Sequence, residues 1–250
     1  RRQLESPTAA AIRYRPFRKI VAVSEHIATV LGVSRVQPGR LTVIRDAVDV
    51  DSVRLGADRE ILRREFGLSE DSFAVAVVAQ LIKRKGHRFL LDVLPGLIAG
   101  HPDIKVVFFG EGNAEANLRA LAKKLGCSPA VHFAGFRHDL DDYLSAFDLL
   151  VHPAEKEGLG VAMLKAAAAG LPVIAFDIAG SREAVRHLKT GILVPPGDLM
   201  ALQTAIGTMY EEADIRAELG AAGRKRMEEE FAVSVMVERY LDVYGEILNG

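Results

Sequence analysis

The stretch FAVAVVAQLIKRKGHRFLLDVLPGLIAGHPDIKVVFFGEG, Phe73 to Gly112, sets two short apolar runs on either side of a segment with helical spacing. FAVAVVAQ (Phe73–Gln80) and IKVVFFG (Ile104–Gly110) are β-branched or aromatic and apolar nearly throughout. Strands buried on both faces of a parallel sheet read this way, because neither face alternates with polar residues. Between them HRFLLDVLPGLIAG carries the 3.6-residue spacing of a helix with one buried face.

The same alternation extends in both directions. KIVAVS (Lys19–Ser24) and RLTVIR (Arg40–Arg45) come before it, and VHFAG (Val131–Gly135), DLLVHP (Asp148–Pro153), PVIAF (Pro172–Phe176) and ILVPP (Ile192–Pro196) follow. Helical stretches separate them: NLRALAKKLG, DDYLSAFD, SREAVRHL and a long C-terminal pair from Asp198 onward. The predicted fold class is therefore α/β, a Rossmann-like, doubly wound parallel sheet. Right-handed crossovers put the loops that follow the strands along one rim, where such sheets bind ligands. The polar segment Asp46–Glu60 reads as a linker. The strand–helix–strand piece before it, Ile20–Ile44, is too small to fold alone, so it docks on the main domain or belongs to an absent one.

Bulk properties narrow the function. With 49% hydrophobic and 26% charged residues in 250, the chain has the composition of a globular domain. A net charge of −1 supplies no basic field for nucleic acid. No apolar run approaches the ~20 residues that span a bilayer. The lone Cys127 has no disulfide partner, which fits a reducing cytoplasm. The opening RRQLESP lacks Met, as expected of a fragment. Arg1, Arg2, Arg13, Arg15, Arg18 and Lys19 form a basic start against Glu5 alone. They read as a solvated helix and linker, since no apolar face accompanies them.

Three loops are candidates for chemistry. After DLLVHP, Gly158 and Gly160 open an apolar helix that Gly170 and Pro172 end, and a glycine-flanked helix start offers free N–H groups to an anion. Glu157 stands just outside that start, and Lys165 lies inside an otherwise apolar helix, where it must face an acid, a phosphate or solvent. After FAVAVVAQ, the turn Gln80–His87 carries Lys83, Arg84 and Lys85, cations suited to a diphosphate. The third loop, FFGEGNAE (Phe108–Glu115), is a poor dinucleotide fingerprint. Glu115 replaces the third glycine, and Glu111 would face the pyrophosphate. Gly110 and Gly112 instead let the backbone approach a ligand or a neighbouring loop. In HDLDD (His138–Asp142), Asp139 is expected to cap a helix LDDYLSAF, with Asp141 and Asp142 in its first turn, in preference to holding a metal. No HxxxH, HExxH or GxSxG pattern occurs, so no metal site is predicted.

Taken in order, IVAVSEHIA, LTVIRDAVDVDSV, VAQLIKRKGH, VVFFGEG, VHFAGF, LLVHPAEKEGLGVAMLKAAAAGLPVIAF and GILVPPGD resemble the C-terminal half of retaining GT-B glycosyltransferases of family 4. The resemblance runs from about Arg18 to the end. It implies two Rossmann-like lobes facing across a cleft. Residues 1–45 would be the last helix and strand of an N-terminal acceptor lobe, 46–60 the interdomain linker, and 61–250 a donor lobe with a crossover helix at its end. The substrate implied is a UDP-, GDP- or ADP-linked sugar, with no cofactor and no metal. A saccharide or lipid-linked acceptor would bind through the missing lobe, the same half that docks such enzymes on the inner face of a membrane.

Position by position, Lys85 matches the lysine that binds the donor diphosphate. Gln80 stands where arginine is usual, and Ala79 where glycine is. Glu157 matches the first acid of an E-x7-E pattern, beside the donor sugar. Gly158, Leu159 and Gly160 would give N–H groups to the distal phosphate and sugar. Gly135, Phe136 and Arg137 fall where the base is received, and Gly110 and Gly112 join the donor-binding set. The second acid of the pattern, which holds the ribose hydroxyls, falls on Lys165. An ammonium only donates, so Lys165 would meet hydroxyl oxygens or a phosphate and partly replace the charge lost at Gln80. This chain alone is expected to bind nucleotide without transferring sugar. Two other readings stand beside it: a non-catalytic nucleotide-binding module, and a nucleotide-sugar epimerase of the same architecture.

Overall fold

All eight apolar runs form strands. The computed structural model describes residues 12–33, 36–53 and 59–249. Its strands are β1 (Ile20–Ala22), β2 (Leu41–Val43), β3 (Phe73–Val78), β4 (Ile104–Phe109), β5 (Val131–Gly135), β6 (Leu149–His152), β7 (Val173–Phe176) and β8 (Gly191–Val194). The helices are α1 (Glu25–Val33), α2 (Arg59–Glu65), α3 (His87–Gly100), α4 (Glu115–Lys124), α5 (Leu140–Tyr143), α6 (Val161–Ala168) and α7 (Ala179–Ala184). Then come α8 (Leu199–Glu211), α9 (Ala213–Glu230) and α10 (Val233–Asn249).

Strands β3 to β8 form one six-stranded parallel sheet in the order β5-β4-β3-β6-β7-β8. Alternate residues of each strand enter different cores. Ala74, Ala76, Val107, Phe109 and Leu150 pack on one face, with Met163 and Leu164 of α6. Phe73, Val75, Val77, Ile104, Val106 and Phe108 pack on the other, with Leu90 and Leu94 of α3 and Leu202 and Ile206 of α8. The period of two along a strand, with helices on both faces, explains the unbroken apolar runs. Numbered from β3, the order is 3-2-1-4-5-6. The winding reverses between β3 and β6, and a crevice opens there at the strands' carboxyl ends.

The segment 46–60 is not a free linker. Val48, Val50 and Val53 are buried in the core, and the Val48 N–H donates to the Phe231 carbonyl at 2.9 Å. Asp49, Asp51 and Ser52 lie exposed between these buried valines, a pattern that the acidic composition hid. Residues 54–58 of that segment lie outside those described. The helix expected over LDDYLSAF is only one turn, α5, and then tightens into a 3-10 turn at Leu144–Ala146.

Strands β1 and β2 pair in parallel around α1, and this small unit rests on the main sheet domain. The Glu183 carboxylate of α7 accepts the Glu25 N–H (2.9 Å) and the His26 N–H (2.8 Å), the first amides of α1. Lys19 pairs with Glu246 of α10 at 2.7 Å, and Arg18 donates to the Ile247 carbonyl at 3.3 Å. Two of the basic N-terminal side chains are thus spent on α10. Arg1 and Arg2 lie outside the described residues.

Candidate functional site

The loops leaving β3 and β6 meet at the switch point. Lys85 ends a 3-10 turn (Lys83–Lys85), and Gly86 follows with φ +72°. A Cβ on Gly86 would lie 1.8 Å from the carbonyl oxygen of Pro153, the residue after β6, so only glycine lets the two loops close. The Glu155 N–H to the Arg84 carbonyl, at 3.0 Å, ties them further. This clamp brings the Lys85 ammonium onto Oε2 of Glu157, with the two side chains 12% and 6% exposed. His152 Nε2 lies 3.2 Å from the same oxygen, and the Gly158 N–H donates to Oε1 at 3.0 Å.

Burial by itself would raise the Glu157 pKa. The hydrogen bond from His152 and the hydrogen bond and charge of Lys85 outweigh it and hold the carboxyl far below its usual range. Burial, with the Lys85 charge, lowers the His152 imidazole despite the nearby carboxylate. Behind it, His87 is lowered to about 4 by burial, then by His152 and Lys85. The site at neutral pH is thus a carboxylate, an ammonium and two neutral imidazoles.

Two clefts open from this point. One, of ≈ 430 Å³, is lined by Gln80, Arg84, Lys85, His152, Glu157 and Gly160. Gly160 (φ +81°) stands at the N-cap position of α6 without a side-chain cap, and Val161 and Ala162 of the first turn face the same cleft. Uncapped amides and two cations make this compartment suited to an anion. The other, of ≈ 540 Å³, is lined by Gly110, Glu111, Gly112, Phe136 and Arg137, and shares Val78 and Gln80 with the first. It has the more apolar walls and carries the exposed Phe136 ring at its edge.

The candidate residues from the sequence thus gather here, with three qualifications. Gly110 (φ +134°) approaches the neighbouring β3 loop, one of the two expected partners: a Cβ on it would fall 2.1 Å from the Ala79 carbonyl oxygen, and one on Gly112 would fall 2.3 Å from that of Leu81. Arg137 is not a free cation, because its guanidinium binds both Asp139 oxygens at 2.8 Å, Glu65 at 2.5 Å and the Tyr143 hydroxyl at 2.6 Å. Asp139 accordingly spends its carboxylate on Arg137 and does not cap α5. Lys165 lines neither cleft. Its ammonium pairs with both oxygens of Asp141, at 2.9 and 2.7 Å, so the lysine in the apolar helix faces an acid. Gly135 (φ +71°) accepts the Gly110 N–H through its carbonyl at 2.7 Å, and Leu159 is buried. Among the described residues no group of three or more His, Cys, Asp or Glu side chains is placed to hold a metal. Sequence reading missed His152 and His87, having weighed histidines only for metal spacing; the position of His152 at the end of a switch-point strand was the available signal.

A doubly wound sheet with a cationic, amide-rich crevice at its switch point defines a Rossmann-like α/β lobe whose crevice suits an anion. Residues 58–226 match the family of glycosyl transferases group 1, and the chain belongs to that family. It is 33% identical over 192 residues to a putative glycosyltransferase, EpsD, of Bacillus subtilis, covering 77% of this chain and 50% of that one. It is 32% identical over 195 residues to a GDP-mannose-dependent monoacylated alpha-(1-6)-phosphatidylinositol monomannoside mannosyltransferase of Corynebacterium glutamicum, covering 74% and 50%. The chain thus spans about half the length of these relatives. Among solved structures, Anabaena Alr3699/HepE in complex with UDP superposes with a TM-score of 0.90 at 22% identity, over 97% of this chain and 68% of that one. A Rickettsia africae glycosyltransferase gives 0.89 at 20%, over 98% and 69%. The fold is the Rossmann-like lobe of GT-B glycosyltransferases. No described helix is long and apolar enough to cross a membrane.

Proposed function

We propose that this chain is the donor-binding half of a retaining, metal-independent glycosyltransferase of family 4. Residues 61–250 form the donor lobe, 46–60 the connection, and 1–45 the last helix and strand of an acceptor lobe. The observation that carries this reading is the meeting of Lys85 and Glu157 at the switch point, beside the uncapped start of α6. In it, Lys85 and Arg84 take the donor diphosphate, and the amides from Gly158 to Gly160 take the distal phosphate and sugar. Glu157 stands by the sugar, the one place where a fixed carboxylate favours positive charge developing on the ring. The nucleoside fills the compartment of Gly110, Gly112, Gly135, Phe136 and Arg137. Gln80 contributes a neutral hydrogen bond. Lys165 lies outside both clefts on Asp141 and keeps one of its three donors, so it meets a donor hydroxyl only where the ligand extends past the two clefts.

The leaving diphosphate is stabilised by these cations and amides, and closure of a second lobe excludes water. The chain alone binds nucleotide and transfers nothing. A saccharide or lipid-linked acceptor enters from the other lobe, at the cytoplasmic face of a membrane. Relatives named for GDP-mannose and a structural neighbour holding UDP keep both bases in view. Calorimetric titration with UDP, GDP, ADP and their sugar conjugates tests the reading: selective binding lost in Lys85→Ala supports it, and no binding of any of them overturns it. Gln80 and Lys165 favour a second reading, a non-catalytic nucleotide-binding module. Turnover by a two-lobe protein separates the two.

A further inference from the structure

We infer that His152 is a positioning residue, a strand-borne donor that keeps the Glu157 carboxylate aimed into the cleft when a bound phosphate competes for Lys85. The inference rests on the reading above for the ligand; the contact itself rests on geometry. Glu157 Oε2 takes both Lys85 and His152, while Oε1 takes the Gly158 amide. A phosphate in the ≈ 430 Å³ cleft lies beside Lys85 and Arg84 and shares the ammonium. Lys85 follows it readily on a flexible four-carbon stem. His152 cannot follow. Its backbone is the last residue of β6, in register with Ala175 of β7, and its ring is 2% exposed.

The tautomer follows from the surroundings. Nδ1 is buried and has no hydrogen-bond partner among the described residues. A proton on Nδ1 would leave that N–H unsatisfied and set the Nε2 lone pair against a carboxylate oxygen at 3.2 Å. A proton on Nε2 makes a charge-assisted hydrogen bond and strands only an acceptor, the cheaper loss. Burial keeps the ring neutral, so it donates one hydrogen bond without adding a charge that would compete with Lys85 for the phosphate. Behind it, the edge of His87 stacks on Phe108 at 5.2 Å and closes the wall.

Two measurements on the 250-residue chain test this. Long-range nitrogen–proton spectra of the imidazoles should show the Nε2–H form of His152 between pH 6 and 8, with its resonance displaced in Glu157→Gln. A Nδ1–H form, or no response to Glu157→Gln, overturns the inference. Titration of UDP against UDP-glucose, and GDP against GDP-mannose, then compares wild type, His152→Gln and His152→Leu. The leucine variant should lose about tenfold of the preference for sugar nucleotide over bare diphosphate, the scale of one hydrogen bond to a charged group. The bare diphosphate should lose less affinity than the sugar nucleotide, and glutamine, which offers an N–H at similar reach, should restore most of the preference. An unchanged preference in a folded His152→Leu overturns the positioning role. If wild type binds no nucleotide, the proposed function falls, and the spectra still decide the His152–Glu157 contact.

Discussion

Leu188 holds φ +57° in the turn before β8, the one non-glycine residue with positive φ among those described. Its side chain is 68% exposed and gains little from packing. A leucine in the left-handed region costs roughly 1–2 kcal/mol, partly offset on replacement by the larger unfolded-state entropy of glycine. Leu188→Gly should therefore raise stability by up to about 1 kcal/mol, read as a higher urea midpoint at unchanged slope. His87 makes a second prediction. Its folded pKa of about 4 lies below the ordinary 6.5, so between those values the unfolded chain binds a proton that the fold refuses. Stability should fall as pH drops from 6.5 to about 4, and His87→Leu should flatten that slope by up to about 3 kcal/mol. Urea midpoints across this pH range in both proteins give the comparison; parallel slopes would contradict it. At this scale the sequence disclosed charge type and loop, which was enough to expect Lys85 and Glu157 along one rim of the sheet. It did not disclose partners: Asp141, 24 residues before Lys165, meets it only through the tertiary fold.

Elements were legible in proportion to how locally their stability is determined. Strands β3, β4, β6 and β7 were readable because burial on both faces leaves a nearly continuous apolar run, whatever the neighbouring strand is. The strap at Val48–Val53 was not, since three unevenly spaced valines among acids show their inward face only once a core exists to receive them. The capping of α1 was invisible for a similar reason. Ser24 Oγ accepts the Ile27 N–H at 3.1 Å, a local cap, but the Glu25 and His26 amides are satisfied by Glu183, about 158 residues along the chain. Glu183 also holds Arg45 at 3.4 Å, and Arg226 grips the Glu183 and Ala184 carbonyls at 2.8 Å. One short helix, α7, thus fastens the N-terminal unit to the sheet domain. Glu183→Ala should cost about 1–2 kcal/mol, the worth of a lost cap with a charged acceptor. Hydrogen exchange should show faster amides at Glu25 and His26 with α3 and β3 unaffected; a uniform change would mean the cap is not local.

At the scale of the whole molecule, one helix face is left exposed among the described residues. Val237, Leu241, Tyr244 and Leu248 are 45%, 61%, 55% and 84% exposed and fall on one side of α10, at spacings of four, three and four. Val243, on the opposite side, is the buried anchor. At its C-terminal end α10 is held by Lys19 and Arg18, so the stripe runs along α10 toward the N-terminal unit. On the proposed division into lobes, an acceptor lobe would pack on this face; the chain spans about half the length of the relatives it matches. The consequence is a difference between two proteins. In the chain alone, Leu241→Lys replaces an exposed residue and should change stability by no more than about 0.5 kcal/mol. In a two-lobe protein the same lysine would be buried against apolar surface without a partner, a cost of several kcal/mol unless the lobes separate. Melting curves of both proteins, with and without the substitution, decide it. An unchanged chain and a two-lobe protein that melts lower, or in two separate transitions, is the expected pair of results; equal effects in both would place the second lobe elsewhere and leave the stripe unexplained by it.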